Sequence, residues 1–117
     1  MVRKDSDFGI KPYFSRKLWS EYQAFELIRI CTPKKVLVRR MNVSLTEEGR
    51  KRLFESFEPN STDGHFNNDA QEWSYKSDES MPCVMIRKHK DGMWYETGLR
   101  SIPYENMEKP YEFVNYN

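Results

Sequence analysis

The segment His89-Lys90-Asp91-Gly92 constrains the fold of this chain more than any other part of its sequence. An Asp-Gly pair supplies the positive backbone φ angles that a tight turn between two antiparallel strands requires. The flanking residues, 82–88 and 93–97, are rich in the β-branched, aromatic and other apolar side chains that favour strands. The pattern therefore predicts a β-hairpin that reverses at Asp91-Gly92.

A second hairpin is predicted earlier in the chain. Residues 24–31 and 36–41 both have the composition of strands. Between them lies Thr32-Pro33-Lys34-Lys35, where proline fixes φ at the second position of a turn. These segments predict two antiparallel strands joined by a short basic turn.

Two further segments have strand patterns. Trp73 and Tyr75 alternate with polar residues, which predicts a strand with both rings on one side. Residues 111–116 predict a final strand at the edge of the sheet. Because an unpaired edge is a template for another strand, we expect a homodimer through this segment.

One helix is predicted at about residues 46–57. Thr46 is a suitable N-cap, and Glu47 and Glu48 place negative charge in the first turn, where it suits the helix dipole. An apolar stripe with i+4 spacing lies opposite a solvated basic face, Arg50-Lys51-Arg52, and it comprises Leu45, Gly49, Leu53 and Phe57.

The length of 117 residues predicts a single domain over residues 1–117. Residues 1–12 are expected to form a loosely held N-terminal arm. Residues 58–71, rich in Asn, Asp, Ser and Gly, are expected to form a flexible loop. The strands predict a mainly β (α+β) fold, a small, strongly bent antiparallel sheet or SH3-like barrel, with the helix inserted after the first hairpin.

Hydropathy and cysteine usage predict a cytosolic protein. The first ten residues are polar and charged, unlike a secretory signal, and no apolar run approaches the roughly 20 residues of a membrane span. Cys31 and Cys83 lie in apolar, strand-like segments, so we expect reduced, buried thiols. A disulfide between them remains an open alternative.

The net charge of +1 conceals an asymmetry between the halves of the chain. Residues 1–52 carry 13 basic and 6 acidic side chains, whereas residues 53–117 carry 6 basic and 12 acidic side chains. Such a split indicates an anionic partner for the first half. The favoured explanation is that the two halves pair with each other in the fold or across an oligomer, because sheets bring distant segments together.

The sequence does not predict an enzyme. His65 and His89 are not at metal-ligand spacing from either cysteine, and the five glycines are too scattered to form a phosphate-binding loop. A Cys/His nucleophile pair would need an exposed cysteine, which the apolar surroundings disfavour. We therefore expect no catalytic residues, no metal and no cofactor.

Binding residues are easier to find. Aromatic faces combined with cations at hairpin ends can stack a base and neutralise a phosphate. The candidate binding residues are Trp19, Tyr22, Lys34, Lys35, Arg39, Arg40, Arg87, Lys88, Lys90, Trp94 and Tyr95. The alternative is structural, since Trp19, Trp73 and Trp94 also suit a core and basic hairpin ends also serve solubility.

The sequence resembles a family of small, uncharacterised proteins of tailed phages and prophages. The resemblance covers about half of the chain, and it rests on residues 18–28 (LWSEYQAFELI), 32–40 (TPKKVLVRR), 71–75 (QEWSY) and 87–98 (RKHKDGMWYETG). It implies a phage setting and a compact β fold, without implying an activity.

These observations predict a non-catalytic phage protein in the host cytoplasm. As a counter-defence inhibitor it would mask a host defence protein or sequester a small nucleotide immune signal. The alternative is an accessory protein that binds single-stranded nucleic acid, although a net charge of only +1 is low for that role. A minor structural protein of the virion is a third possibility.

Overall fold

The computed structural model describes residues 7–57, 68–98 and 102–116. In this part of the chain there are nine regular elements and two 3-10 turns, at Asp7–Gly9 and Asn68–Ala70. In chain order the regular elements are β1 (Tyr13–Lys17), β2 (Tyr22–Thr32), β3 (Lys35–Arg40), β4 (Asn42–Leu45), α1 (Glu47–Glu55), β5 (Trp73–Lys76), β6 (Cys83–Lys88), β7 (Trp94–Glu96) and β8 (Pro103–Met107).

Six of the strands close into an antiparallel barrel. Their order is β1-β2-β3-β6-β7-β8, and β8 pairs back on β1. β4 and β5 form a separate two-stranded sheet, with α1 between them in sequence. The prediction of a small, strongly bent antiparallel fold with an inserted helix is therefore confirmed, and the structure closes it as a barrel.

Both predicted hairpins are present, as β2–β3 and β6–β7. At the second turn Gly92 has a φ of 85°, whereas Asp91 does not adopt a positive φ. The His89 carbonyl accepts from the Gly92 N–H, and the Met93 carbonyl accepts from the His89 N–H. Only the glycine of the Asp-Gly pair therefore uses the left-handed region, as in a hairpin turn that ends in a glycine bulge.

The barrel core follows the alternation of strand side chains. Val36 and Val38 are fully buried, whereas Leu37 between them is partly exposed. Aromatic rings fill much of the interior. They meet edge to face, which is a geometry that aromatic pairs prefer. The buried cluster comprises Ile10, Phe14, Phe25, Leu27, Val36, Val38, Ile86, Trp94 and Tyr104.

Strand β2 bends because its pairing with β3 shifts twice. The register changes between Leu27 and Arg29 and again between Ile30 and Thr32. Bulges of this kind increase local twist and bend a strand, which a barrel of short strands requires. The 11 residues of β2 can therefore pair with β1 over one part and with β3 along most of their length.

The helix is anchored as its sequence predicts. The Thr46 hydroxyl caps α1 by accepting from the Gly49 N–H at 2.9 Å, and Leu53 is fully buried. A Cβ at Gly49 would lie 2.6 Å from the Glu72 carbonyl oxygen, so glycine permits this close approach. The apolar stripe is shorter than predicted, because Leu45 belongs to β4 and Phe57 lies beyond the helix and is exposed.

Two strand predictions need correction. β1, β4 and β8 were not predicted: β1 and β8 pair with each other and complete the barrel, and β4 pairs with β5. The predicted edge strand at residues 111–116 is wrong, because this segment makes only an isolated bridge between Tyr22 and Phe113. The segment therefore does not provide the edge on which a homodimer was expected.

The predicted arm and loop lie partly outside the described residues. Of the predicted N-terminal arm, residues 1–6 lie outside the described residues, whereas Ile10 is buried in the barrel core. Of the predicted flexible loop, residues 58–67 lie outside the described residues. Gln71, by contrast, forms hydrogen bonds to the C-terminal tail through its side-chain amide. The Gln71 amide nitrogen donates to the Val114 carbonyl, and its oxygen accepts from the Val114 N–H.

Candidate functional site

The antiparallel order places the strand ends at two opposite ends of the barrel. At one end lie the β2–β3 and β6–β7 turns. At the other end lie the β1–β2 connection, the end of β3 and the starts of β6 and β8. The candidate binding residues divide between these ends, so they do not form one continuous face.

Five of the candidate cations lie together at the first end. Lys35 pairs with Arg87 in the β3–β6 register, and the Lys34 carbonyl accepts from the Lys88 N–H at 2.9 Å. The two turns are therefore held side by side. We call this cluster the basic end, and its residues are Lys34, Lys35, Arg87, Lys88 and Lys90.

Among the described residues, no carboxylate forms an ion pair with the basic end. The ion pairs among the described residues are Arg39–Glu26, Arg40–Glu112 and Arg52–Glu72, none of which includes a residue of the basic end. The nearby Asp91 carboxylate accepts from the Met93 N–H at 2.9 Å and from the Tyr95 hydroxyl at 2.7 Å. The five cations thus present net positive charge to solvent.

Tyr95 belongs to the same end. It pairs with Arg87 across β6–β7, and its ring meets His89 edge to face at a centroid distance of 4.8 Å. The ring is half-buried, and its hydroxyl bond to Asp91 fixes its direction. Tyr95 therefore stabilises the β6–β7 turn, and only part of its ring face is accessible for a base to stack on.

Arg39 and Arg40 were predicted as binding residues, but both are held in ion pairs. Arg39 donates to Glu26 at 2.7 Å, and this hydrogen bond is the main cause that raises the pKa of Arg39. Arg40 binds both carboxylate oxygens of Glu112, at 2.7 and 2.9 Å. Since Glu112 is buried and also accepts from the Ala24 N–H, this arginine fastens the C-terminal tail to the barrel.

Trp94 was also a candidate for ligand contact, and the structure places it in the core. It is buried, with its ring edge-to-face against Phe14 at 5.3 Å. The structural alternative is therefore correct for Trp94. It is wrong for Trp19, which is fully exposed beside a shallow groove formed with Lys17, Leu18, Ile102 and Pro103.

Tyr22 packs away from the basic end. Its ring contacts Tyr111 edge to face at 5.1 Å, and its backbone bridges Phe113. Tyr22 therefore helps to hold the tail at the β1–β2 end of the barrel.

A cavity that the sequence did not predict opens at this second end, and both charged and apolar side chains line it. It has a volume of about 270 Å³, and Arg16, Gln23, Arg40 and Glu96 are among its lining residues. Tyr104 lies beside it and donates its hydroxyl to Glu96 at 2.7 Å. Burial, followed by this bond, raises the pKa of Tyr104 well above its ordinary value, so the hydroxyl remains a donor.

The predicted burial of both cysteines is wrong. Cys31 and Cys83 are free and exposed. Cys83 alternates with the inward-facing Val84, and Cys31 lies where the β2 register shifts. Apolar neighbours in sequence therefore did not indicate the direction of these side chains.

Both thiols are expected to react in the native protein, because exposure gives reagents access. Ellman's reagent without denaturant should report two thiols per chain, and the Cys31→Ser and Cys83→Ser variants should each lose one. Reaction of only one thiol before unfolding would contradict the exposed placement of the other.

Within the described residues, no helix has the length and apolar character needed to cross a membrane. No three His, Cys, Asp or Glu side chains of this part of the chain come together as a set of metal ligands.

Comparison of the chain with protein-family models, curated proteins and solved structures finds no match.

Proposed function

We propose that this protein is a non-catalytic phage protein that acts in the host cytoplasm by masking a host defence protein. An acidic surface of that protein would dock on the basic end. The observation that carries the proposal is the set of five cations on two adjacent turns and the strand ends beside them, which form no ion pair with the described residues. Complementary charge of this kind steers association and fixes the orientation of partners.

The shape of the basic end favours a protein over a small nucleotide signal. Small ligands are held in concave sites that enclose most of their surface. The cations here lie on the turns of two hairpins and at the strand ends beside them, and these side chains are mostly exposed. A broad acidic surface can contact several of them together, whereas a small nucleotide would remain largely exposed to solvent.

Single-stranded nucleic acid is the second candidate, because the same five cations could bind phosphates. Such binding also needs aromatic faces on which bases stack. Trp94 is buried and Trp19 lies at the opposite end of the barrel, which leaves the half-buried Tyr95. The basic end therefore suits a protein surface better than a strand of bases.

The test compares two charge-reversed double variants with the native chain. Lys34→Glu with Lys90→Glu alters the basic end, whereas Arg50→Glu with Lys51→Glu changes the net charge equally on the exposed face of α1. The host protein that the native chain captures from a host lysate is then titrated against the native chain and each variant. We expect at least tenfold weaker binding for the basic-end variant and little change for the α1 variant.

Nuclease treatment and salt complete the experiment. Binding should survive nuclease and weaken as salt rises, because the contacts are between exposed charges. Loss of binding after nuclease would favour the nucleic-acid role instead. Equal weakening by both double variants would overturn the proposal, since only net charge would then matter.

A further inference from the structure

Arg16 lies at the mouth of the barrel, and it forms no ion pair with the described residues. It lies two residues after the buried Phe14 on β1, so its side chain is directed inward. Its Nε is buried and has no hydrogen-bond acceptor among the described residues, and no described carboxylate forms an ion pair with it. Because Arg16 also lines the cavity, a carboxylate bound there could pair with its positive charge.

Glu96 provides the opposite charge in the same cavity. Its Oε1 accepts from the Tyr104 hydroxyl at 2.7 Å, while its Oε2 makes no hydrogen bond to the described residues. The guanidinium of Arg16 lies 6.0 Å from the centre of the Tyr104 ring, which places the two charges around one aromatic side chain. Arg40 also lines the cavity, but it is already bound to Glu112.

We propose that this cavity binds a small zwitterion of the amino-acid class. Its carboxylate would pair with Arg16, its ammonium group would pair with Glu96, and its apolar side chain would contact Phe25 and Val84. A guanidinium fork matches the geometry of a carboxylate. The volume of about 270 Å³ is at the small end of ligand pockets and suits one amino acid better than a dinucleotide.

The competing explanation is that the opposite charges of Arg16 and Glu96 only balance each other across the mouth of the barrel, without binding a ligand. The two explanations differ in what they predict for ligands that carry one charge or two. L-phenylalanine carries both groups, hydrocinnamate carries only the carboxylate, and phenethylamine carries only the ammonium group. These three compounds share a phenylethyl body and are therefore matched probes.

The experiment is an amide-resonance NMR titration of the full chain with the three probes at up to millimolar concentrations. We expect saturable shifts at Arg16, Gln23 and Glu96 with L-phenylalanine. Binding of either single-charge probe should be at least tenfold weaker, because each loses a charge-assisted hydrogen bond. Absence of shifts at the mouth with all three probes would overturn the proposal.

Variants then assign the two charges. Arg16→Gln should weaken L-phenylalanine and hydrocinnamate at least tenfold, while the matched Arg29→Gln on the exposed outer wall should change neither. Glu96→Gln keeps an acceptor for Tyr104 and should weaken phenethylamine and L-phenylalanine, but not hydrocinnamate. If Arg16→Gln fails to fold, the proposal is decided by whether Glu96→Gln weakens phenethylamine and L-phenylalanine but not hydrocinnamate. Equal effects on all probes would contradict the assignment.

The mouth and the basic end are at opposite ends of the barrel, so the two proposals can fail separately. A lost amino-acid site would leave docking at Lys34 and Lys90 untouched. Charge reversal at those lysines should in turn leave the L-phenylalanine titration unchanged.

Discussion

Replacing Arg40 by methionine is expected to lower the free energy of unfolding by about 3 kcal/mol, because it leaves the Glu112 carboxylate buried without its cation. The Glu112 side chain is only 4% exposed, and its carboxylate accepts from Arg40 and from the Ala24 N–H. These bonds tie the C-terminal tail to the start of β2 and the end of β3. Urea denaturation followed by circular dichroism measures the change.

The exposed pair Arg52–Glu72 supplies the control, since its side chains are 49% and 50% exposed. Arg52→Met should cost less than about 1 kcal/mol, because exposed pairs contribute little. A double variant, Arg40→Met with Glu112→Met, should recover part of the loss by removing the unpaired charge. Equal costs for Arg40→Met and Arg52→Met would show that the buried pair does not anchor the tail.

Truncating Trp94 to alanine is expected to cost about 3–5 kcal/mol, whereas Tyr95→Ala should cost about 1 kcal/mol. The two residues are neighbours in β7, but Trp94 fills the core against Phe14 and Tyr95 lies on the outer side with its hydroxyl on Asp91. The first change therefore leaves a large cavity, and the second removes a surface hydrogen bond and a ring contact.

Chemical denaturation of both variants checks the comparison. Trp94→Phe is the milder companion, because it keeps an aromatic ring against Phe14 and should lose less than Trp94→Ala. If Tyr95→Ala proved the more costly change, the assignment of inward and outward faces in β7 would be wrong.

Local sequence signals predicted the parts of the fold that local chemistry determines. The two hairpins have turn residues of defined preference, and Thr46 caps α1 as its position predicts. β1 and β8 have no such signals, because the segments YFSRK and PYENM carry no β-branched residue. Their pairing joins Tyr13 to Met107, so only closure of the barrel identifies them as strands.

The candidate site was predictable to a similar extent. Cations adjacent to turns are directed outward, so Lys34, Lys35, Lys88 and Lys90 were found from sequence. The role of Arg40 depends on Glu112, which is 72 residues away, and that of Arg39 depends on the hairpin register that places it opposite Glu26. Arg16 was missed for the same reason, because the residues that surround it in the cavity come from other strands.

The most direct test of the proposed function is zero-length carbodiimide coupling, which joins lysine amines to carboxylates that contact them. Coupled to the captured host protein and analysed by mass spectrometry, the native chain should be linked through Lys34, Lys35, Lys88 and Lys90 to Asp or Glu residues of the partner. Lys17, Lys51 and Lys76 are exposed controls away from the basic end and should remain unlinked. Links concentrated at these controls, with none at the basic end, would contradict the proposal.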